Sequence, residues 1–531
     1  MSTCCSHRVQ DESLDHAKDY HDFSILKLAW AIQNGLSVQC IERYLSHYSE
    51  PIKSYGLRVP VKCASEASRF PVLFFAVERN SPELVRILCR LGASPDKRAG
   101  PTGLPLLAYT IFHAEYEVLD TLPTMISLLA AGADPHEVPK ELWQDYLKAP
   151  GRFPVTEVAG AERSLRWCTV EVQDALSRTM NLLQTYSLWK ADKVPRPLPR
   201  MKQFAGAFKS TPLFEAPFHL VGQLPAATQV VESITSHFLF EPSECLGSES
   251  FKPLVLLFVG QSGHGKTELA RHMGYLLSLE MITVDCTEMR HETDIFGPKA
   301  PYSGYWEGSS LNNHLAKWSG QRNVVFLDEF DKTSDDVRRS LLLLFQSGTY
   351  KDHRNNQMLE CSKTIWVLAT NFGEGLINRF WSTHFKDRDV DRWDSMLLSN
   401  LDALLKRNSV ILFGAPLTGR VTAILPFMPF TAGEQAVVVR KYMLKLANTV
   451  RQPIDTRSKK FAGNTHVKYV NDGQIALHIG KQYYISEIGA RSLDTAVDTH
   501  IKYRLARAIQ TMPELVEDES NSQALEGMIS A

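Results

Sequence analysis

No stretch of this chain approaches the roughly 20 consecutive apolar residues that a membrane-spanning helix needs, so no transmembrane segment is expected. A basic surplus is also missing: 58 Lys and Arg stand against 59 Asp and Glu, a formal net charge of −1. Electrostatic binding to nucleic acid needs such a surplus or a clear basic face, so neither nucleic acid nor membrane is expected as a partner. The nine cysteines are scattered, with Cys4-Cys5 the only close pair, which speaks against a disulfide framework or a zinc site and suits a reducing compartment. That pair reads as two ordinary thiols rather than a lipidation site. The first twenty residues carry Asp11, Glu12, Asp15 and Asp19 with few basic residues and no apolar stretch behind them. They match neither a presequence nor a secretory signal, so the cytoplasm or nucleus is expected ahead of the mitochondrion. With 531 residues and 44% hydrophobic content, the chain has material for two or three separately cored domains.

What is present is concentrated at one place. Gly260-Gln261-Ser262-Gly263-His264-Gly265-Lys266-Thr267 follows the apolar run from Pro253 to Val259 and precedes a segment, Glu268 to Leu277, with apolar residues at helical spacing. A glycine-rich turn between strand and helix lets successive backbone N–H groups close around phosphate oxygens. Lys266 would reach the β and γ phosphates, and the Thr267 hydroxyl would join a Mg²⁺ shell. Asn323-Val-Val-Phe-Leu-Asp328-Glu329 supplies a second apolar strand ending in two carboxylates. Asp328 is placed to hold Mg²⁺ and Glu329 to polarise an attacking water, since phosphoryl transfer needs positioning and charge neutralisation. ATP with Mg²⁺ is the expected cofactor pair.

The first part of the chain reads differently. Segments 24–48, 69–97 and 104–137 each look like a helix pair ending in a turn, and Leu88-Cys-Arg-Leu-Gly92-Ala93 parallels Leu128-Leu-Ala-Ala-Gly132-Ala133. Glycine just past a helix can take the left-handed conformation that stops it. The run Phe70 to Leu88 resembles an ankyrin repeat, and the blocks from Leu104 and Leu26 resemble two more, without the expected T-P-L-H start; an irregular helical bundle is the alternative. Such pairs stack because one pair cannot bury its own apolar face, and the array would dock a protein. An amphipathic helix is expected over 162–190, then an extended linker at Val194 to Arg200. Thr431-Ala-Gly-Glu434 reads as a capping box opening a helix to about Val450. Asn471-Asp472-Gly473 reads as a hairpin turn, and another helix follows Ser492.

From Leu220 to about Ile509 the chain resembles the Clp-type branch of AAA+ ATPases, specifically the C-terminal ATPase module of these protein unfoldases and disaggregases. Besides the phosphate loop and the Val324 to Lys332 strand, Asp285 to Glu288 is similar to the family's strand-two motif, and Ile365 to Asn371 to its sensor strand. The resemblance implies that Asn371 lies near the γ-phosphate and that Arg420 is an arginine finger acting in trans. It also implies that Arg491, in Gly489-Ala-Arg-Ser-Leu493, touches nucleotide from a small helical domain, and that Val221, in Val221-Gly222-Gln223, packs near the adenine. Phe296 to Gly308 is similar to the loop that lines the family's pore and grips polypeptide, with Tyr302 in the tyrosine position. Pro301 stands where the family carries glycine, which stiffens that loop; packing of a turn by Tyr302 and Tyr305 is the alternative.

The expected fold class is therefore α/β: a P-loop AAA+ module with a parallel sheet and a small C-terminal α(+β) domain, preceded by an all-α ankyrin-like domain. The expected boundaries are 1–150 for the repeats, 151–210 for a helix and Pro-rich linker, 211–430 and 431–516 for the large and small ATPase domains, and 517–531 for a disordered tail. The expected function is ATP-driven remodelling of unfolded or aggregated protein by a homo-hexamer. The alternative is an ATP-switched scaffold that recruits a partner and threads nothing.

Overall fold

Glycine-terminated helix pairs dominate the first half of the chain and buried β-branched and aromatic runs the second, and the backbone follows that division. The computed structural model describes residues 23–49, 56–58, 61–62, 69–100, 102–117, 120–147, 167–241, 251–384, 395–454, 462–469 and 471–511. The chain divides into two units, Met1–Phe218 with Asn471–Gln474, and His219–Val470 with Ile475–Ala531.

In the first unit the helix pairs are α1 (Ile25–Gln33) with α2 (Val38–Ser46), α3 (Val72–Glu78) with α4 (Pro82–Arg90), and α5 (Leu106–Glu117) with α6 (Leu122–Ala130). Four of their ends use one device. Gly35, Asn80, Gly92 and Gly132 sit at positive φ, between 51° and 106°. At each, that residue and the next return N–H bonds to the preceding turn, as in Ala93 to the Leu88 carbonyl and Ala133 to the Leu128 carbonyl, both at 3.0 Å. Asn80 replaces glycine there, and its side chain reaches the next pair, donating to the Asp120 carbonyl at 3.0 Å and accepting from the Thr124 hydroxyl at 2.5 Å. Short two-residue ladders, Val61–Lys62 with Arg69–Phe70 and Arg98–Ala99 with Leu104–Pro105, precede the second and third pairs. Ladder, helix, turn and helix thus recur as one unit, with Val72 to Val77 buried throughout at its centre.

The second unit is built on five parallel strands: β1 (Leu254–Gly260), β2 (Met281–Asp285), β3 (Asn323–Asp328), β4 (Thr364–Thr370) and β5 (Ala423–Phe427), in the order β5-β1-β4-β3-β2. Every residue of β1 and β4 is buried, as central strands covered on both faces require. A parallel sheet brings the C-terminal ends of its strands to one edge. Gly260, Asp328 and Thr370 therefore end side by side, and the loops that leave them face one another.

Three local expectations change. Asn471-Asp472-Gly473 turns no hairpin: Asp472–Tyr483 is a helix whose buried Ala476, Ile479 and Gly480 recur at helical spacing, and no strand follows β5 among the described residues. Among the described residues the C-terminal region is helical, without the β element that α(+β) allowed. The helix expected over 162–190 is two, Val170–Thr179 and Leu182–Ala191, because Met180 is extended and Asn181 opens a new capping box with Gln184; residues 162–166 lie outside the described residues. The extended stretch after Val194 ends at Leu198, since Pro199 fits the first position of the helix Pro199–Ala207. The capping box at Thr431 and Glu434 opens the helix Ala432–Arg451. The Cys4-Cys5 pair, the acidic start and the tail 517–531 lie outside the described residues.

Candidate functional site

The loop after β1 is shaped by its glycines. Gly260, Gly263 and Gly265 all have positive φ. A β-carbon on Gly263 would lie 2.0 Å from the Ile488 carbonyl oxygen, and one on Gly260 would lie 2.6 Å from that of Phe427. The helix Lys266–Leu277 starts directly behind Gly265, so its unpaired N–H groups face the loop.

Around this loop the strand ends assemble a buried polar cluster. The Lys266 ammonium donates to the carbonyls of Gly260 at 2.5 Å and Gln261 at 2.8 Å, and to Asn371 Oδ1 at 3.0 Å. Asn371, one residue past β4, uses its other side-chain atom to donate to Glu329 Oε2 at 3.1 Å, and its backbone N–H donates to Asp331 at 3.3 Å. It thereby bridges the loop lysine and the carboxylate of Glu329, one residue past β3. The Thr267 hydroxyl stands 3.4 to 3.5 Å from the two carboxylate oxygens of Asp328. Glu329 is held at φ 54°, a left-handed conformation that costs a non-glycine residue on the order of 1 kcal/mol or more.

Electrostatics match the geometry. Burial lowers the Lys266 pKa to about 8, while the carboxylates of Glu329, Asp328, Asp331 and Glu374 work in the opposite direction. Burial raises the Asp328 carboxyl above the usual range, opposed by hydrogen bonds from the Glu329 N–H and the Thr267 hydroxyl. The set fits a phosphate chain with Mg²⁺. The glycines leave a cradle that side chains would fill, and Thr267 with Asp328 offers hard oxygen donors. No group of three or more His, Cys, Asp or Glu able to hold a metal occurs among the described residues, which is the usual situation for Mg²⁺, bound by one or two protein oxygens plus phosphate.

The remaining expected residues are more widely spread. Gln261 donates to Glu374 at 3.1 Å, and Ser262 accepts through its carbonyl from the His264 ring at 2.8 Å. Val221 is half-buried beside Gly222, whose β-carbon would strike Glu434 and Phe430, and Gln223 exchanges two 2.8 Å hydrogen bonds with the backbone of Met428. Arg491 is exposed and follows Ala490, whose N–H donates to the Gly263 carbonyl at 2.9 Å. Arg420 stands apart. It precedes β5, at the edge of the sheet where the strands begin, and its guanidinium bonds the Pro416 carbonyl and Gln346. The β5 strand alone puts roughly 16 Å between that edge and the phosphate loop.

Tyr302 is 72% exposed, on a loop anchored at its base by the buried Phe296, which stacks on Tyr350 at 4.7 Å. His353 tightens this base, with Nδ1 2.8 Å from the Gly297 carbonyl and its own carbonyl accepting from the Ala300 N–H at 3.0 Å. Sequence reasoning gave no role to Trp306, which is 62% exposed beside Tyr305. Nor did it pair His264 with Tyr484, 220 residues away, or Gln261 with Glu374; only proximity in the fold reveals those pairs.

Residues 252–407 match the family model for the AAA domain (Cdc48 subfamily). Chaperone protein ClpB of Chlamydia muridarum (strain MoPn / Nigg) is 28% identical over 298 residues, 55% of this chain and 31% of that protein. The chain carries a Clp-type AAA+ ATPase module. By enzyme class the module is an ATP hydrolase. The mitochondrial disaggregase of Bos taurus is 26% identical over 288 residues, 49% of this chain and 39% of that protein. A closed-state cryo-EM reconstruction of Hsp104 with ATPyS and FITC casein overlays with a TM-score of 0.45 at 19% identity, over 76% of this chain and 64% of that one. The chain spans about a third of the length of the ClpB relatives it matches (31%), and residues before 252 lie outside the match to the AAA model. No helix among the described residues is long and apolar enough to cross a membrane.

Proposed function

We propose that this chain hydrolyses ATP as one member of a homo-hexameric ring and uses the cycle to pull polypeptide through a central pore, while its ankyrin-like helix pairs dock a protein partner. The observation that carries the reading is Asn371 standing between Lys266 and Glu329, because it ties the group that would hold phosphate to the group that would hold water. Bound Mg²⁺–ATP supplies the scissile anhydride and the cation that neutralises its oxygens. Lys266 would exchange its loop carbonyls for phosphate oxygens, Thr267 and Asp328 would hold the cation, and Glu329 would orient the attacking water and take its proton. Asn371 keeps Lys266 and Glu329 in register. Arg491 and Val221 meet the nucleotide from the helical region and the adenine side.

Arg420 supports the ring. It lies at the edge of the sheet opposite its own phosphate loop, a position from which it would reach a neighbour's site, where an arginine finger is worth about 10³–10⁵ in rate. The exposed Tyr302 supports the grip, since an aromatic ring contacts varied side chains by area burial. The test is turnover and remodelling measured together: a Tyr302→Ala variant keeps ATP hydrolysis and fails to solubilise a model aggregate. Undiminished solubilisation by that variant would leave the ATP-switched scaffold as the surviving reading.

A further inference from the structure

Resting on the nucleotide-site reading above, we infer that His264 and Tyr484 form a positioning pair that fixes the phosphate loop against the helical region bearing Arg491. Three observations converge on it. The two backbones meet without side chains between them: a β-carbon on Gly489 would lie 2.7 Å from the Gly263 carbonyl oxygen, and Ala490 N–H donates to that same oxygen at 2.9 Å. The His264 ring, 1% exposed, stacks on Phe430 at 4.8 Å with 22° between planes. Its Nε2 lies 3.0 Å from the Tyr484 hydroxyl and its Nδ1 2.8 Å from the Ser262 carbonyl.

The hydrogen-bond directions follow from chemistry. A carbonyl only accepts, so Nδ1 carries the proton and donates to Ser262; Nε2 then has a lone pair and accepts from the tyrosine O–H. Burial, with the Lys266 charge nearby, lowers the His264 pKa to about 4, which keeps this neutral tautomer in place across the physiological range. A ring fixed by a stack and two hydrogen bonds transmits displacement. When the loop closes on phosphate, Tyr484 and the Ile488–Arg491 turn travel with it, and Arg491 arrives at the nucleotide. His264 and Tyr484 touch no reacting atom; they act through Arg491.

Steady-state ATPase kinetics on the full chain, with wild type, Tyr484→Phe, Arg491→Ala and the double variant, test this. Tyr484→Phe lowers turnover about fivefold to thirtyfold, the size expected for one buried hydrogen bond whose partner is left bare, and lowers the melting temperature by only a few degrees. The double variant is no slower than Arg491→Ala alone, because both remove one function. His264→Val, which substitutes an apolar side chain for the ring, gives the same non-additivity. Losses that add, or a Tyr484→Phe enzyme as fast as wild type, overturn the pairing while leaving the ATPase reading intact. A wild-type chain that neither binds nor turns over ATP overturns the reading and the pairing together.

Discussion

The phosphate cluster and the aromatic loop belong to one unit and are built in opposite ways. Lys266 is 7% exposed and its ammonium has three oxygen partners, whereas Tyr302 is 72% exposed on a loop rooted at its base. Groups that must meet charge in a set geometry are buried and over-determined, down to a strained Glu329 backbone. A group that must accept many different side chains is left in solvent on a rooted loop. Damage to the first should stop chemistry, and damage to the second should uncouple chemistry from work.

That contrast can be broken in several ways, the largest first. Arg420→Ala lowers ATP turnover by about 10³-fold or more while leaving nucleotide affinity nearly unchanged; a phosphate-release assay beside a fluorescent-nucleotide titration separates the two. Glu329→Gln lowers turnover by about 10²–10⁴-fold and traps a nucleotide-bound assembly that sizing chromatography detects. Trp306→Ala keeps turnover within about twofold and weakens substrate pulling less than Tyr302→Ala does, because the Trp306 ring is the less exposed of the two and packs edge-on against Tyr305. The smallest effect is in pH. The folded His264 pKa, about 4, lies below the ordinary 6.5, so between those values the unfolded chain binds the extra proton. Stability therefore falls as pH drops from about 6.5 to 4, and His264→Val flattens that part of a melting-temperature profile.

Legibility followed the range of the interactions. The loop from Gly260 to Thr267 and the strand to Glu329 were readable because glycines, an apolar run and a paired acid are local features, and the parallel sheet then had to place them together. The turns at Gly92 and Gly132 were readable for the same reason: a left-handed cap is a property of a few consecutive residues. Asn471-Asp472-Gly473 misled because a turn signal says nothing about its flanks, and the Ala476, Ile479, Gly480 spacing beyond it is helical. His264 with Tyr484 and Gln261 with Glu374 join residues more than a hundred positions apart. No local pattern encodes such pairs. The edge on which Arg420 falls likewise follows from strand order and from nothing nearer in the chain.

The central claim, that Arg420 completes a neighbour's site, is tested most directly by mixing two inactive variants. Arg420→Ala retains an intact phosphate site, and Glu329→Gln retains an intact arginine. Co-assembled, they should recover ATP turnover well above the sum of the two alone, because some Arg420→Ala sites then face a neighbour that supplies the guanidinium. A mixture no faster than that sum, from assemblies proven to contain both chains, would contradict it.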